Sequence, residues 1–213
     1  MIKAVIFDVD GVLIDSFEAN LNFFQNLFNK AGYIRELTRE EAKKLFHLPM
    51  KDLIRNYLQL NDENELERIF KLGKEYVANY PNHLLTFPVN YQAIIKKLAQ
   101  EYTLGIVTSR VRGGVFRIPQ LNALKEYFKI LVYFEDTLKH KPDPEPLLLA
   151  LKKLEVKPEE AVYIGDMPSD IEAAKSAGMK IIIYSILKLD GADATTSSFE
   201  ELLNLIRTLK LNK

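Results

Sequence analysis

Five short runs of apolar and β-branched residues recur along the chain. They occupy residues 2–7, 103–107, 130–134, 161–164 and 180–184. Runs of this length without polar alternation are typical of strands that are buried on both faces of a parallel sheet. Because segments with helical periodicity separate the later runs, the pattern predicts a doubly wound α/β fold with right-handed crossovers.

Apolar residues at helical spacing mark the segments between and after these runs. The predicted helical faces are Ile94, Ile95 and Leu98; Val115, Ile118, Leu121 and Leu124; Leu147, Leu148, Leu151 and Leu154; and Leu202, Leu205, Ile206 and Leu209. A further short helix is predicted over residues 171–177, where Gly178 provides a left-handed cap.

A segment near the N-terminus departs from this alternation. Residues 16–87 carry four helical patterns and no convincing strand. The second of these helices begins with a capping box formed by Thr38 and Glu41. We therefore predict an α-helical domain that is inserted into an α/β core domain of residues 1–15 and 88–213.

The composition narrows the class of protein. The 213 residues are 47% apolar, enough for a buried core, and contain no cysteine, which excludes disulfides and cysteine nucleophiles. Lys and Arg total 29, as do Asp and Glu, and this balance counts against a nucleic-acid binder, which needs positive potential. No apolar run approaches the roughly 20 residues of a membrane-spanning helix. We expect a soluble, cytoplasmic protein that binds neither nucleic acid nor membrane.

Two acidic pairs follow predicted strands directly. Asp8 and Asp10 come after the first strand, and Asp166 and Asp170 come after the fourth. The carboxyl ends of parallel strands meet at one edge of a sheet, so these carboxylates are expected to converge there. Like charges so close repel each other, and a hard cation such as Mg²⁺ would stabilise them. Taken singly, each pair is also explained by an acidic turn or a helix cap.

Hydroxyl groups and a lysine complete the candidate site. Thr108 and Ser109 follow the second strand, where hydroxyl and backbone N–H groups can hold a phosphate oxygen. Lys141 lies in a proline-flanked loop, where its charge could neutralise a transferring phosphoryl group. A helix cap and a solvated lysine are the plainer interpretations of each alone. The chain order of acid, hydroxyl, lysine and acid favours phosphoryl transfer.

The four strings that carry these residues resemble the motifs of the haloacid dehalogenase-like (HAD) hydrolase superfamily. They read DVDGVLIDS from Asp8, TSR from Thr108, KPDP from Lys141 and GDMPSD from Gly165. The resemblance covers nearly the whole chain and is strongest to the branch of phosphoglycolate phosphatase and β-phosphoglucomutase. It implies a mainly parallel, Rossmann-like sheet, with residues 16–87 as a helical cap domain.

The resemblance also implies a role for each motif residue. Asp8 resembles the nucleophile that forms an aspartyl-phosphate, and Asp10 resembles the general acid and base. Thr108 resembles the phosphate-binding hydroxyl, and Lys141 resembles the lysine that screens charge between nucleophile and phosphate. The implied Mg²⁺ ligands are Asp8, Asp10 (through its backbone carbonyl), Asp166 and Asp170.

Five residues are predicted to bind the substrate. They are Ser109, Arg110, Gly11, His47 and Lys51. The last two lie between predicted cap helices, at a position where relatives present a substrate-contacting loop, although a surface turn is the plainer interpretation. Arg110 stands where relatives often carry lysine or another polar residue, and Gly113 and Gly114 loosen the start of the helix that follows.

The expected function is that of a Mg²⁺-dependent phosphatase, monomeric or homodimeric, acting on a small phosphorylated metabolite. Phosphoglycolate, sugar phosphates and nucleotides are the candidate substrates. A phosphomutase is one alternative, weakened because mutase relatives tend to carry a histidine where this chain reads SFEANLNFF. A non-enzymatic binding protein is the other, and it predicts eroded motifs, whereas all the motif residues are present.

Overall fold

The computed structural model describes residues 1–209 of the chain. These residues fall into two compact units. The first, here called the α/β unit, consists of Met1–Asp15 and the chain from Phe87 onward. The second, the helical unit, is Ser16–Thr86. The sequence pattern places the second boundary one residue later than the structure does.

Six parallel strands form the sheet of the α/β unit. They are β1 (Ala4–Phe7), β2 (Thr103–Val107), β3 (Phe128–Val132), β4 (Ala161–Gly165), β5 (Lys180–Tyr184) and β6 (Ala194–Thr196). Their order is β3-β2-β1-β4-β5-β6, so β1 lies between β2 and β4. The strand order reverses beside β1, and open α/β sheets bind ligands outside the carboxyl ends of strands at such a point. The predicted α/β fold class is confirmed.

Nine α-helices lie within residues 1–209. Those of the helical unit are α1 (Phe17–Ala31), α2 (Arg39–Leu45), α3 (Met50–Leu58) and α4 (Glu63–Tyr76). Those of the α/β unit are α5 (Tyr91–Glu101), α6 (Pro119–Asn122), α7 (Glu145–Leu154), α8 (Pro168–Ser176) and α9 (Leu202–Leu209). None of the described helices has the length and apolar character needed to cross a membrane.

Strand β1 is buried on both of its faces. Ile6 belongs to a core cluster to which α7 contributes Leu147. Phe7 points to the opposite face, where its ring centroid lies 6.2 Å from that of Phe128 and 6.3 Å from that of Phe199. This burial explains why the strand sequence AVIF shows no polar alternation.

The helical unit has an apolar core of its own. Its buried residues include Phe23, Leu27, Phe28, Leu53, Ile54, Leu66 and Ile69. The predicted capping box opens α2: Glu41 N donates to Thr38 Oγ1 at 3.3 Å, and Thr38 N donates to Glu41 Oε2 at 3.0 Å. The helical content predicted for this segment is therefore confirmed.

The helix predicted around residues 115–124 is wrong for most of its length. Only Pro119–Asn122 is helical there. Gly113 has a φ of +81°, and Pro119 holds the preceding Ile118 in an extended conformation. The four apolar residues that suggested the helix are nevertheless buried. Helical spacing thus identified the buried positions correctly but predicted the wrong backbone conformation.

Some strands also differ from the prediction. Strand β1 begins at Ala4 rather than at residue 2, and β3 lies two residues earlier than predicted, at Phe128–Val132. Strand β6 was not predicted, because its three residues, Ala-Thr-Thr, form no apolar run. It pairs with β5 at the edge of the sheet, where a strand is less buried and can carry polar residues.

Candidate active site

The carboxyl ends of three neighbouring strands present the motif residues at one edge of the sheet. Asp8 follows β1, Thr108 follows β2, and Asp166 follows β4. Backbone hydrogen bonds continue the ladders here: Asp8 N donates to Ile164 O at 2.9 Å, and Thr108 N donates to Val132 O at 3.0 Å. Because β1 lies between the other two strands, the sheet brings together residues from distant parts of the sequence.

Lys141 is the centre of a buried hydrogen-bond network. Its Nζ donates to Asp8 Oδ2 at 2.7 Å, to Asp170 Oδ1 at 2.7 Å and to Tyr163 OH at 2.9 Å. An ammonium group has three N–H donors, so protein oxygens occupy all of them. Burial alone would lower the pKa of Lys141, but the charges of Asp170 and Asp8 outweigh it and hold that pKa well above its ordinary value. The lysine therefore stays charged beside Asp8.

Tyr163 belongs to this network and was not predicted from the sequence. It lies in β4, is fully buried, and its hydroxyl donates to Asp170 Oδ1 at 3.2 Å. Burial, together with the charges of Asp170 and Asp8, raises the pKa of Tyr163 well above its ordinary value, so the phenol keeps its proton. A signal was available, since Tyr163 is the one hydroxyl-bearing side chain in the strand sequence AVYIG.

Asp170 connects the start of α8 to Lys141. Its Oδ2 accepts hydrogen bonds from the backbone N–H groups of Asp166 and Met167, both at 3.0 Å. Its Oδ1 accepts from Lys141 and Tyr163, so both oxygens are well satisfied although the side chain is 1% exposed. The helix-capping and functional interpretations of this residue are thus compatible.

Asp8, Asp166 and Asp170 form a group that could hold a metal ion. Each offers one carboxylate oxygen, and these oxygens lie within 4.8 Å of one another. Burial raises the pKa of Asp8 to about 7, although Lys141 opposes the shift. Burial, followed by the charges of Asp8 and Asp170, raises the pKa of Asp166 to about 8. Crowded carboxylates of this kind are stabilised by a hard divalent cation, so the donor set fits Mg²⁺.

Two glycines make room for these acids. Gly11 has a φ of +76°, and a Cβ placed on it would lie 2.0 Å from Asp166 Oδ2. A Cβ on Gly165 would lie 2.5 Å from Asp170 Oδ2. Any side chain at either position would displace one of the three acids that could hold a metal ion. The contact of Gly11 with substrate stays a prediction.

The side chain of Asp10 forms an ion pair with Arg110. Arg110 Nε donates to Asp10 Oδ2 at 2.7 Å, and its terminal NH2 group donates to Asp10 Oδ1 at 2.8 Å. This pairing was not predicted, and it joins two residues that are 100 positions apart. The predicted binding of substrate by Arg110, and of metal by the Asp10 carbonyl, stay predictions.

The two hydroxyl residues after β2 differ in their surroundings. Thr108 is buried, and its Oγ1 accepts a hydrogen bond from Arg110 N at 3.1 Å. Ser109 is exposed. Thr108 therefore shapes the loop that begins at the end of β2, in addition to its predicted contact with phosphate.

His47 and Lys51 belong to the helical unit. His47 is exposed, and Lys51 lies in the first turn of α3 rather than in a linker. Lys51 Nζ donates to Glu67 Oε1 in α4 at 2.8 Å. Binding of substrate by either residue stays a prediction.

Comparison with known proteins defines the class. Residues 5–184 match the model of the family described as haloacid dehalogenase-like hydrolase. The chain belongs to this family, and the resemblance carried by its four motifs is confirmed. It is accordingly a hydrolase.

Individual relatives are similar over most of their length. Pyrophosphatase PpaX of Bacillus cereus (strain B4264) is 32% identical over 185 residues, which cover 86% of this chain and 83% of that protein. The crystal structure of CbbY from Rhodobacter sphaeroides in complex with phosphate has a TM-score of 0.82 at 26% identity, covering 95% of this chain and 96% of that one. A predicted phosphoglycolate phosphatase from Haemophilus somnus 129PT has a TM-score of 0.79 at 19% identity, covering 96% and 98%, which is a likeness of fold.

Proposed function

We propose that this hydrolase is a Mg²⁺-dependent phosphatase that forms an aspartyl-phosphate on Asp8. The observation that carries the proposal is the contact of 2.7 Å between Lys141 Nζ and Asp8 Oδ2, at the edge of the sheet where Asp166 and Asp170 also lie. Phosphoryl transfer through an acyl phosphate requires a nucleophilic carboxylate that lies beside a fixed positive charge and beside acids that could hold a metal ion.

In the proposed first step, a carboxylate oxygen of Asp8 attacks phosphorus and the bond from phosphorus to the leaving oxygen breaks. This step requires the protonated form of Asp10, which gives its proton to that oxygen and becomes the carboxylate. In the second step, Asp10 takes a proton from a water molecule, the water oxygen bonds to phosphorus, and the bond from phosphorus to Asp8 breaks. The products are the free alcohol or acid and inorganic phosphate.

Positive charge must offset the repulsion between the anionic nucleophile and the anionic substrate. Lys141 supplies a fixed charge that is already in contact with Asp8. A bound Mg²⁺ would add charge neutralisation at the phosphate oxygens. Asp8, Asp166 and the Asp10 carbonyl would hold the ion directly. Since the oxygens of Asp170 already accept four hydrogen bonds, we favour its contact through a metal-bound water.

The proposed substrate is a small molecule with a terminal phosphate group. Phosphate monoesters were the candidates from the sequence, and the name of the Bacillus cereus relative adds pyrophosphate. Pyrophosphate needs the same attack by Asp8, with a second phosphate as the leaving group. We propose the helical unit as a cap that selects among such substrates, and we propose a cytoplasmic location.

Release of inorganic phosphate from a panel of compounds tests the proposal. The panel contains pyrophosphate, phosphoglycolate, sugar phosphates, nucleotides and an aryl phosphate, each assayed with MgCl₂ and with EDTA. We expect turnover of at least one compound with Mg²⁺ and little with EDTA. Asp8→Asn should lower kcat by several orders of magnitude, because the amide cannot form the covalent intermediate.

Asp190→Asn is the matched control for this substitution. Asp190 is exposed, and the exchange makes the same chemical change away from the motif residues. It should retain the wild-type rate. A wild-type protein that releases phosphate from none of the compounds, or an active Asp8→Asn protein, would refute the proposed function.

A further inference from the structure

The ion pair of Arg110 with Asp10 has the geometry of a clamp. Two parallel N–H groups of the guanidinium reach the two carboxylate oxygens at 2.7 and 2.8 Å. A bidentate contact of this kind fixes the plane of the carboxylate as well as its position, because both side-chain torsions of the aspartate are defined. The guanidinium is the more buried partner, with 16% of the Arg110 side chain exposed against 37% for Asp10.

The protein holds both ends of this clamp. Arg110 also donates from its NH1 group to Gly114 O at 3.2 Å, and its backbone O accepts a hydrogen bond from Phe134 N at 3.1 Å. On the other side, the backbone of Asp10 lies in a tight turn in which Gly11 N donates to Ile14 O at 2.8 Å. The turn fixes the Asp10 backbone, and the contact with Arg110 fixes the direction of the Asp10 carboxylate.

The same contacts explain why two glycines, Gly113 and Gly114, follow Arg110 in the sequence. Gly113 has a φ of +81°, and Gly114 N donates to Val111 O at 2.8 Å. A Cβ on Gly114 would lie 2.9 Å from Val111 O, which is too close for a side chain. The two glycines therefore form the turn that presents the Gly114 carbonyl to Arg110.

We propose that Arg110 is a positioning residue that acts through Asp10. The proposal rests on the proposed function, in which Asp10 transfers a proton to the leaving oxygen and later takes one from water. Such transfers require the carboxylate within hydrogen-bond reach of the reacting oxygen, and a displacement of about 1 Å can cost about 100-fold in rate. Arg110 fixes the direction of the Asp10 carboxylate, the form that takes the proton from water, before substrate arrives, and its effect on the reaction passes through Asp10.

A double-mutant cycle tests this inference. The four proteins are wild type, Arg110→Ala, Asp10→Ala and the double variant, assayed on the best substrate of the panel. We expect Arg110→Ala to lower kcat about 10- to 100-fold with KM changed less than about threefold. In the Asp10→Ala background the same exchange should change kcat less than about twofold, because its target is gone. Arg112→Ala, which removes an exposed arginine two positions away, should retain the wild-type rate.

Chemical rescue supplies a second readout. Added guanidinium ion, well below denaturing concentrations, should raise kcat of Arg110→Ala by several-fold and leave the double variant unchanged, whereas NaCl at equal ionic strength should raise neither. If circular dichroism shows that Arg110→Ala is unfolded, Arg110→Lys replaces it in the cycle, with a smaller loss of kcat because lysine makes only one of the two contacts.

Three outcomes would overturn the inference. They are an unchanged kcat in Arg110→Ala, a loss carried by KM alone, and an undiminished further loss when Arg110 is removed from Asp10→Ala. The second and third would assign Arg110 to direct substrate binding. A wild-type protein that hydrolyses no phosphate compound defeats the proposed function instead, so the two failures are distinguishable.

Discussion

The ammonium group of Lys141 donates one hydrogen bond each to Asp8, Asp170 and Tyr163. Two of these partners are acids whose charge holds the lysine in its protonated form. The third is neutral, so its contribution is directional: the phenol accepts from Lys141 and donates to Asp170. Tyr163 therefore fixes where the positive charge lies relative to Asp8.

Tyr163→Phe removes one hydroxyl group and leaves the packing of the ring intact. We expect kcat to fall by about 10-fold with little change in KM, because Lys141 loses one of the three contacts that orient it. Tyr91→Phe is the matched control, since it removes from α5 a hydroxyl group that accepts a hydrogen bond from the side chain of the neighbouring Gln92. Steady-state kinetics of both variants check this, and a kcat within twofold of wild type for Tyr163→Phe would contradict it.

A substitution at Gly11 tests the close contact between the Gly11 backbone and the Asp166 carboxylate. Gly11→Ala places a methyl group 2.0 Å from Asp166 Oδ2, so the carboxylate must move. Gly32→Ala is the matched control, because Gly32 also has a positive φ, +97°, but has nothing within 4 Å of the added carbon. Both variants should lose about 1–2 kcal/mol of stability from the left-handed backbone conformation.

Only Gly11→Ala should weaken the activation by Mg²⁺, because only this methyl group displaces an acid, Asp166, that could hold the metal ion. Thermal unfolding and the MgCl₂ concentration for half-maximal phosphate release separate the two effects. If both variants need the same MgCl₂ concentration for half-maximal phosphate release, the Asp166 carboxylate has no part in metal binding.

At the scale of the elements, apolar runs predicted the five longer strands well because burial on both faces leaves little room for polar residues. The strand ends then located Asp8, Thr108 and Asp166 correctly, since parallel strands point their carboxyl ends to one edge. The helix around residues 115–124 was mispredicted because a buried loop can carry the same apolar spacing as a helix. Strand β6 has too few residues to produce a pattern.

The acids at the ends of β1 and β4 predict an unusual pH dependence for the metal-free protein. The pKa of Asp8 is raised to about 7 and that of Asp166 to about 8, both from 3.8, so the folded state holds protons that the unfolded chain has released. Their contribution to the free energy of unfolding is fully present below the unfolded pKa values and is lost as pH rises through 7 and 8. In EDTA, this contribution should make the melting temperature lower at about pH 8 than at about pH 5.5.

MgCl₂ should reverse this trend, because a cation that replaces those protons binds best where they are already lost. The increase in melting temperature on adding MgCl₂ should be larger at the higher pH. Asp166→Asn is the reference, since the amide removes one titrating group and one ligand and should reduce both effects. Differential scanning fluorimetry of the two proteins checks this, and identical pH profiles in EDTA would contradict the assignment.

At the scale of the whole molecule, the sequence predicted a helical segment inserted into an α/β chain, because its periodicity changes at residue 16 and changes back near residue 87. Each unit has its own apolar core, so each could be recognised from local patterns alone. The contacts of Lys141 with Tyr163 and of Arg110 with Asp10 could not. They depend on side-chain directions at strand ends that no spacing rule specifies, and one of them spans 100 residues.

Lys51 tests whether the helical unit contributes to substrate choice. Its ion pair with Glu67 is partly exposed, with side chains 35% and 59% exposed, and such pairs contribute about 0–1 kcal/mol to stability. Lys51→Ala should therefore keep the melting temperature of the wild type. If Lys51 binds an anionic part of the substrate, kcat/KM should fall several-fold for substrates that carry a second anionic group besides the phosphate, such as phosphoglycolate, and stay unchanged for an aryl phosphate without such a group. His47→Ala should act in the same direction, and Lys43→Ala, which removes an exposed lysine of α2, should not. Substrate profiles that are identical across all three variants would remove this part of α3 and the residues before it from the specificity of the enzyme.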